Sequence, residues 1–349
     1  MSRARMTDLL EIHDQQIAPG ESRTVDLPVA QLYTDAPMTM PVRVLRGRKP
    51  GPTLFLSAAI HGDELNGVEI IRRVLRLPGL KSLRGTLLAV PVVNVHGFLR
   101  HSRYLPDRRD LNRSFPGSET GSVAARLAHL FLEEVVARAD VGIDLHTGAI
   151  HRPNYPQIRA NLSNPETANL ARAFGAPLIL DSPPVEGTLR DYTTQRDIPV
   201  LLYESGEALR FDETAIRIGV AGVRSVMREL GMLPPSRSPR RRAQKQPIVA
   251  DSSHWVRAPR SGVLRTLVPL GAWVEPGQAL AVVADPFGES ETTLNAPRPG
   301  VVIGRLCLPL VHEGDAVMHV ARINGAREGE PLSGSVAEME GLPPEPRIV

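Results

Sequence analysis

Four apolar runs in the first 230 residues, at 53–60, 86–93, 141–145 and 199–203, have the length of buried strands, and the segments between them follow another period. Leu65, Val68, Ile71 and Leu75 recur at helical spacing, as do Val123, Leu127, Leu130 and Val135, and residues 215–230 read as a closing helix. Strands alternating with helices predict an α/β domain, its parallel or mixed sheet flanked by helices. The stretch 94–121 has no clear period and is rich in Pro, Gly, Asp, Asn and Arg, which predicts a long functional loop.

Past residue 233 the pattern changes. Residues 234–249 form a Pro/Arg-rich segment in which Arg237, Arg240, Arg241, Arg242 and Lys245 meet no acid until Asp251. Without those five cations the formal charge of +3 would be −2, so the basic excess is local, and it reads as a solvated linker rather than a nucleic-acid surface. Residues 250–325 are short β-rich runs carrying an internal repeat. Ala258-Pro259-Arg260-Ser261-Gly262-Val263 returns as Ala296-Pro297-Arg298-Pro299-Gly300-Val301, and Val274-Glu275-Pro276-Gly277 returns as Val311-His312-Glu313-Gly314. Two similar halves predict a quasi-symmetric sandwich, and the repeat resembles the biotinyl/lipoyl type of barrel-sandwich domain. The last lysine of the chain is Lys245, upstream of that domain, so no cofactor attachment is predicted. The expected division is a catalytic domain at 1–233, a linker at 234–249, a β-rich domain at 250–325 and a poorly ordered tail at 326–349. The linker reads as a boundary, so the first domain is expected to fold alone.

A single cysteine, Cys307, rules out an intrachain disulfide and any Cys-rich zinc site, leaving His and carboxylate ligands for a metal. No apolar run reaches the roughly 18 residues of a membrane helix, and the first residues lack the apolar stretch of a signal peptide, so a soluble cytoplasmic protein is expected.

Three of the four strands end in a ligand or acid: Ile60-His61-Gly62-Asp63-Glu64, Ile143-Asp144-Leu145-His146 and Leu201-Leu202-Tyr203-Glu204. Ligands gather at the carboxyl edge of an open α/β sheet, and an unpaired buried charge is costly, so packing alone explains these endings poorly. His61, Glu64 and His146 would leave a tetrahedral zinc one open position for water, with Glu204 as general base. Asp144 is either an acceptor that orients His146 or an ordinary buried aspartate. His96, His101 and His151 compete as third ligands but lie in loops. Arg100, Arg103, Arg108, Arg109 and Arg113 fall within fourteen residues. They can fork a carboxylate or stabilise an oxyanion, or form a solvated or RNA-contacting surface.

The sequences His61-Gly62-Asp63-Glu64, Arg103-Tyr104, Asp110-Leu111-Asn112-Arg113, Asp144-Leu145-His146 and Tyr203-Glu204-Ser205-Gly206 follow one another in an order and spacing that resembles the succinylglutamate desuccinylase/aspartoacylase family over residues 40–230. That family is a branch of the zinc carboxypeptidase fold. The resemblance implies one zinc per chain on His61, Glu64 and His146, Glu204 as the catalytic glutamate, Arg103 polarising the scissile carbonyl, and Asn112 with Arg113 holding the substrate carboxylate. Arg103 lies two residues farther from Asn112 than in aspartoacylases, which leaves Arg108 and Arg109 as alternatives. The implied activity is zinc-dependent deacylation of a small N-acyl amino acid, of the N-acetyl-diaminobutyrate, N-succinylglutamate or N-acetylaspartate type. A zinc carboxypeptidase and a metabolite-binding non-enzyme are the rival readings. No nucleic-acid or membrane partner is expected, and a homo-oligomer stays open.

Overall fold

A computed structural model describes residues 9–235 and 247–323. Of the expected linker, residues 236–246 lie outside the described residues, and so does the expected tail 326–349. A thirteen-stranded mixed sheet runs through the molecule. Its centre is four parallel strands in the spatial order Arg84–Val90, Lys49–Ala58, Val141–Gly148 and Val200–Glu207. Pro37–Arg46 and then Ser22–Gln31 extend one side antiparallel, and Asn154–Ala160 extends the other.

Alternation along the strands explains the two layers of helices. Leu54 and Leu56 belong to one core cluster with Ile70, Phe174 and Val223, which sit on helices Asn66–Val74, Pro165–Phe174 and Glu213–Glu229. Phe55 points the other way, into a cluster with Leu127 and Phe131 of helix Val123–Glu134. All eight residues of Val141–Gly148 are buried, as a strand covered on both faces requires. The four strands and three helices expected from the sequence are all present. Strands Ser22–Gln31, Pro37–Arg46, Asn154–Ala160 and Leu178–Asp181 are further elements, as are helices Pro165–Phe174 and Leu189–Thr194.

The C-terminal repeat becomes a reciprocal pair of contacts. Gly277 N–H donates to Ala296 O (2.8 Å) and Ala296 N–H to Gln278 O (2.8 Å), while Gly314 N–H donates to Ala258 O (2.9 Å) and Ala258 N–H to Asp315 O (2.9 Å). Each turn therefore closes on the repeated Ala-Pro segment of the other half. A four-stranded sheet with Gly262–Thr266 and Ala279–Ala284 at its centre faces strands of the large sheet, and Leu264, Val283, Val302 and Val320 fill the space between.

The two regions are joined. Ile248–Ala250 pairs in parallel with Leu178–Asp181, and Gly304 pairs with Asn154. Tyr155, Leu178 and Leu180 share a buried cluster with Ala250, Val301, Ile303 and Ala321. The first 233 residues thus close part of their core on the segment after the linker. No helix among the described residues is long and apolar enough to cross a membrane.

Candidate active site

The edge where the parallel strands end carries the site. After strand Lys49–Ala58 the chain turns at Ala59, in the left-handed region at φ 49°, and presents His61 just before helix Asn66–Val74. Gly62 is required there by space: a Cβ would lie 2.0 Å from the Gly97 carbonyl carbon. Asn66 ties this turn to the neighbouring strand end, donating to Ser205 O (3.2 Å) and accepting from Asp212 N–H (3.0 Å).

Glu64, which is 2% exposed, lies between two imidazoles. Its Oε1 is 2.7 Å from His61 Nδ1 and its Oε2 is 2.9 Å from His146 Nδ1. One ligand atom from each of the three residues lies within 4.8 Å of the others, so the group can hold a metal ion. Each imidazole turns its other nitrogen to an aspartate: His61 Nε2 to Asp110 Oδ1 (3.1 Å) and His146 Nε2 to Asp144 Oδ2 (2.7 Å). With Nε2–H donating there, the Nδ1 lone pair is left for a metal, the pattern that orients histidine ligands. Asp144 is fully buried and is itself held by Ser57 Oγ–H (2.7 Å), so it is the orienting acceptor of the two readings. Burial alone would raise the Glu64 pKa, but the two histidines outweigh it and hold the carboxyl well below its ordinary range. Burial opposes charge on His146, yet Asp144 and Glu64 raise its pKa well above the ordinary value, and His61 is raised against burial by Glu64 and Asp110.

A cavity of about 310 Å³ opens beside this cluster. It is lined by all seven residues expected from the sequence: His61, Glu64, Arg103, Asn112, Arg113, His146 and Glu204. Arg103 bonds Asp110 Oδ2 (3.0 Å) and Glu64 Oε1 (3.3 Å), whereas the Arg109 side chain is 64% exposed and pairs with Asp107, and neither it nor Arg108 lines the cavity. Of the competing histidines none lines it. Asn112 Oδ1 accepts from Leu189 N–H (3.0 Å), fixing the start of helix Leu189–Thr194, and Arg113 Nη1 donates to Asn112 O (2.6 Å). Glu204 is the register partner of His146 on the adjacent parallel strand. Its carboxylate accepts from Asn154 Nδ2 and lies 3.7 Å from Arg159 Nη1.

A family model for the succinylglutamate desuccinylase/aspartoacylase catalytic domain matches residues 50–230, the stretch that carries every one of these strand ends. The chain belongs to that family. It is a hydrolase of non-peptide amide bonds and a deacylase of small N-acyl amino acids. N-alpha-acetyl-L-2,4-diaminobutyric acid deacetylase of Halomonas elongata is 28% identical over 81% of this chain and 86% of its own length. Among solved structures, the product-bound ectoine utilization protein EutE (DoeB) of Ruegeria pomeroyi superposes with a TM-score of 0.77 at 25% identity, covering 86% of this chain and 95% of that one. The succinylglutamate desuccinylase/aspartoacylase of Rhodobacter sphaeroides gives 0.76 at 25% identity over 87% and 95%.

Several residues of the cavity carry no sequence signal of their own. Asn154 and Arg159 arrive on an antiparallel strand, Arg190 on a short helix, and Trp255 and His319 from the C-terminal region. Trp255 and His319 stack with centroids 4.4 Å apart, and burial, with Arg159 nearby, pushes the His319 pKa down to about 3, so this wall is uncharged.

Proposed function

We propose that this deacylase works with one zinc ion held by His61, Glu64 and His146, with Glu204 as its general base. The observation that carries the reading is the pair of imidazoles whose Nε2 atoms are taken by Asp110 and Asp144 while both Nδ1 atoms converge with Glu64. Two imidazoles and one carboxylate without a thiolate suit a catalytic zinc that keeps an open position. When bound, zinc acidifies a water molecule and polarises the carbonyl it faces.

The chain's own groups do the rest. Glu204 takes the proton of the attacking water and hands it to the departing amine, which lets the tetrahedral species collapse to a free acid and a free amino acid. Arg103 donates to the oxygen on which negative charge develops. Arg113, beside Asn112, holds the substrate carboxylate as a fork, so the scissile amide is presented to Glu204 in one orientation. The large sheet is read as zinc carboxypeptidase-like and the repeat region as barrel-sandwich-like, with residues 1–233 carrying the chemistry and 250–325 completing the cavity.

The test is a screen for released amine from N-acyl amino acids, run with metal removed and then restored. N-acetyl-L-2,4-diaminobutyrate is screened beside N-succinylglutamate and N-acetylaspartate. Amine release that chelation abolishes and zinc restores is expected. Release of C-terminal residues from peptides at a higher kcat/KM would favour the carboxypeptidase reading instead.

A further inference from the structure

Glu204 has its carboxylate set by a residue that the chemistry described above does not use. Asn154 Nδ2 donates to Glu204 Oε2, and a charged neighbour, Arg159, stands 3.7 Å from Oε1. Both come from strand Asn154–Ala160, which runs antiparallel to the Glu204 strand with Gly206 opposite Asn154 and Leu202 opposite Arg159. Arg159 Nε is buried with no hydrogen-bond partner among the described residues, so a carboxylate released by Asn154 has a cation to turn toward. The position of Asn154 is in turn set from the far side of the linker. Gly304 pairs with it, Arg305 N–H donates to Pro153 O (3.4 Å), and Cys307 N–H donates to His151 O (2.8 Å). A Cβ at residue 304 would stand 3.0 Å from Asn154 Oδ1 and 3.3 Å from His319 Cβ, so an alanine there presses on the Asn154 amide and asks it to give by a few tenths of an ångström.

We propose that Asn154 is a positioning residue that aims Glu204 into the cavity, and that the C-terminal strand Gly300–Arg305 holds Asn154 in place through Gly304. This rests on the reading of Glu204 as the base. The C-terminal region then takes part in the reaction by fixing the direction of a proton transfer. Misplacement of a reacting group by about 1 Å can cost 10²-fold in rate, so the tie is large enough to matter.

The experiment uses the full-length zinc-loaded chain and four variants: Asn154→Ala, Gly304→Ala, the double variant, and Glu204→Gln as control. Asn154→Ala is expected to lower kcat at least about tenfold while KM and zinc content hold. Gly304→Ala is expected to lower kcat in the same way, and the double variant to be no worse than Asn154→Ala, because both act through one amide. A crystal structure of Asn154→Ala is expected to show the Glu204 carboxylate turned onto Arg159. An unmoved Glu204, an unchanged kcat, or a loss confined to KM would overturn the proposal. Additive losses in the double variant would overturn the role of Gly304. A Glu204→Gln enzyme at the wild-type rate would instead overturn the reading beneath it, whereas an inert Glu204→Gln beside a fully active Asn154→Ala rejects the positioning role alone.

Discussion

Glu204 separates two kinds of role that a half-buried glutamate can have. As a proton shuttle it is replaced in shape by glutamine but not in function, so Glu204→Gln should keep zinc and melting temperature while kcat falls by at least about 10³, the upper part of what general acid/base groups contribute. As a mere partner of Arg159 it would cost stability on replacement and leave the rate per folded molecule intact. Melting temperature, zinc content and kcat on one preparation separate the two. The same residue-level reasoning fixes a pH dependence for metal binding. His61 and His146 have raised pKa values in the metal-free protein, so they keep a proton to higher pH than a free imidazole, and that proton must leave before Nδ1 can bind an ion. Zinc affinity should therefore rise as pH is raised from about 6 to about 8, with proton release that calorimetry in buffers of different ionisation enthalpy detects. A flat affinity over that interval contradicts the protonated starting state. Arg113→Lys should weaken kcat/KM at normal zinc content, since an ammonium cannot form the fork. At this scale the sequence was informative wherever a strand end carried an ionisable residue: His61, Glu64, His146 and Glu204 all reach the cavity. It was silent where a neighbour arrives by antiparallel pairing, since nothing local distinguishes Asn154 or Arg159 from the rest of their strand.

Between elements, the decisive contact is the approach of helix Val95–Leu99 to the turn at Gly62, where a Cβ would meet Gly97 and Phe98 backbone atoms at 2.0–2.5 Å. Backbone cannot yield as a side-chain tip can, so Gly62→Ala must push the helix away from the turn that delivers both His61 and Glu64. Overpacking of this kind costs about 1–3 kcal/mol, and here the displacement falls on two of the proposed ligands at once, so a lower melting temperature with weakened zinc retention is expected. Equilibrium unfolding and zinc retention after dialysis check this, and normal zinc retention in a destabilised variant would show that the ligands are held independently of the turn. The central strands were legible because burial on both faces makes them continuous apolar runs. Strand Pro37–Arg46 was not, since Pro37 and Pro41 interrupt its alternating pattern, and neither was Leu178–Asp181, which is only four residues long.

For the whole molecule the question is whether the β-rich region is an appendage or part of the enzyme. The change of composition at the linker points to a boundary, but a sequence cannot reveal which apolar residues on one side are covered by the other. Here Tyr155, Leu178 and Leu180 are covered by Ala250, Val301, Ile303 and Ala321, and strand Leu178–Asp181 gives its edge to Ile248–Ala250. Ending the chain at residue 235 would expose those side chains and leave that edge unpaired. Fully exposing a large apolar side chain costs roughly 1.5–3 kcal/mol, so three of them amount to several kcal/mol. In a protein of this size that corresponds to a fall in melting temperature on the order of 10 °C or more. The truncated chain would also lose Trp255 and His319 from the cavity wall and the Gly304 contact behind Asn154. It is accordingly expected to be less soluble, to melt earlier and to turn over poorly even where it still binds zinc through His61, Glu64 and His146. The full chain should unfold in one calorimetric transition, because one buried cluster crosses the two regions. Two well-separated transitions, or a truncated chain that matches the full one in kcat and melting temperature, would show that the shared cluster carries little of the stability and that the catalytic region is complete without its partner.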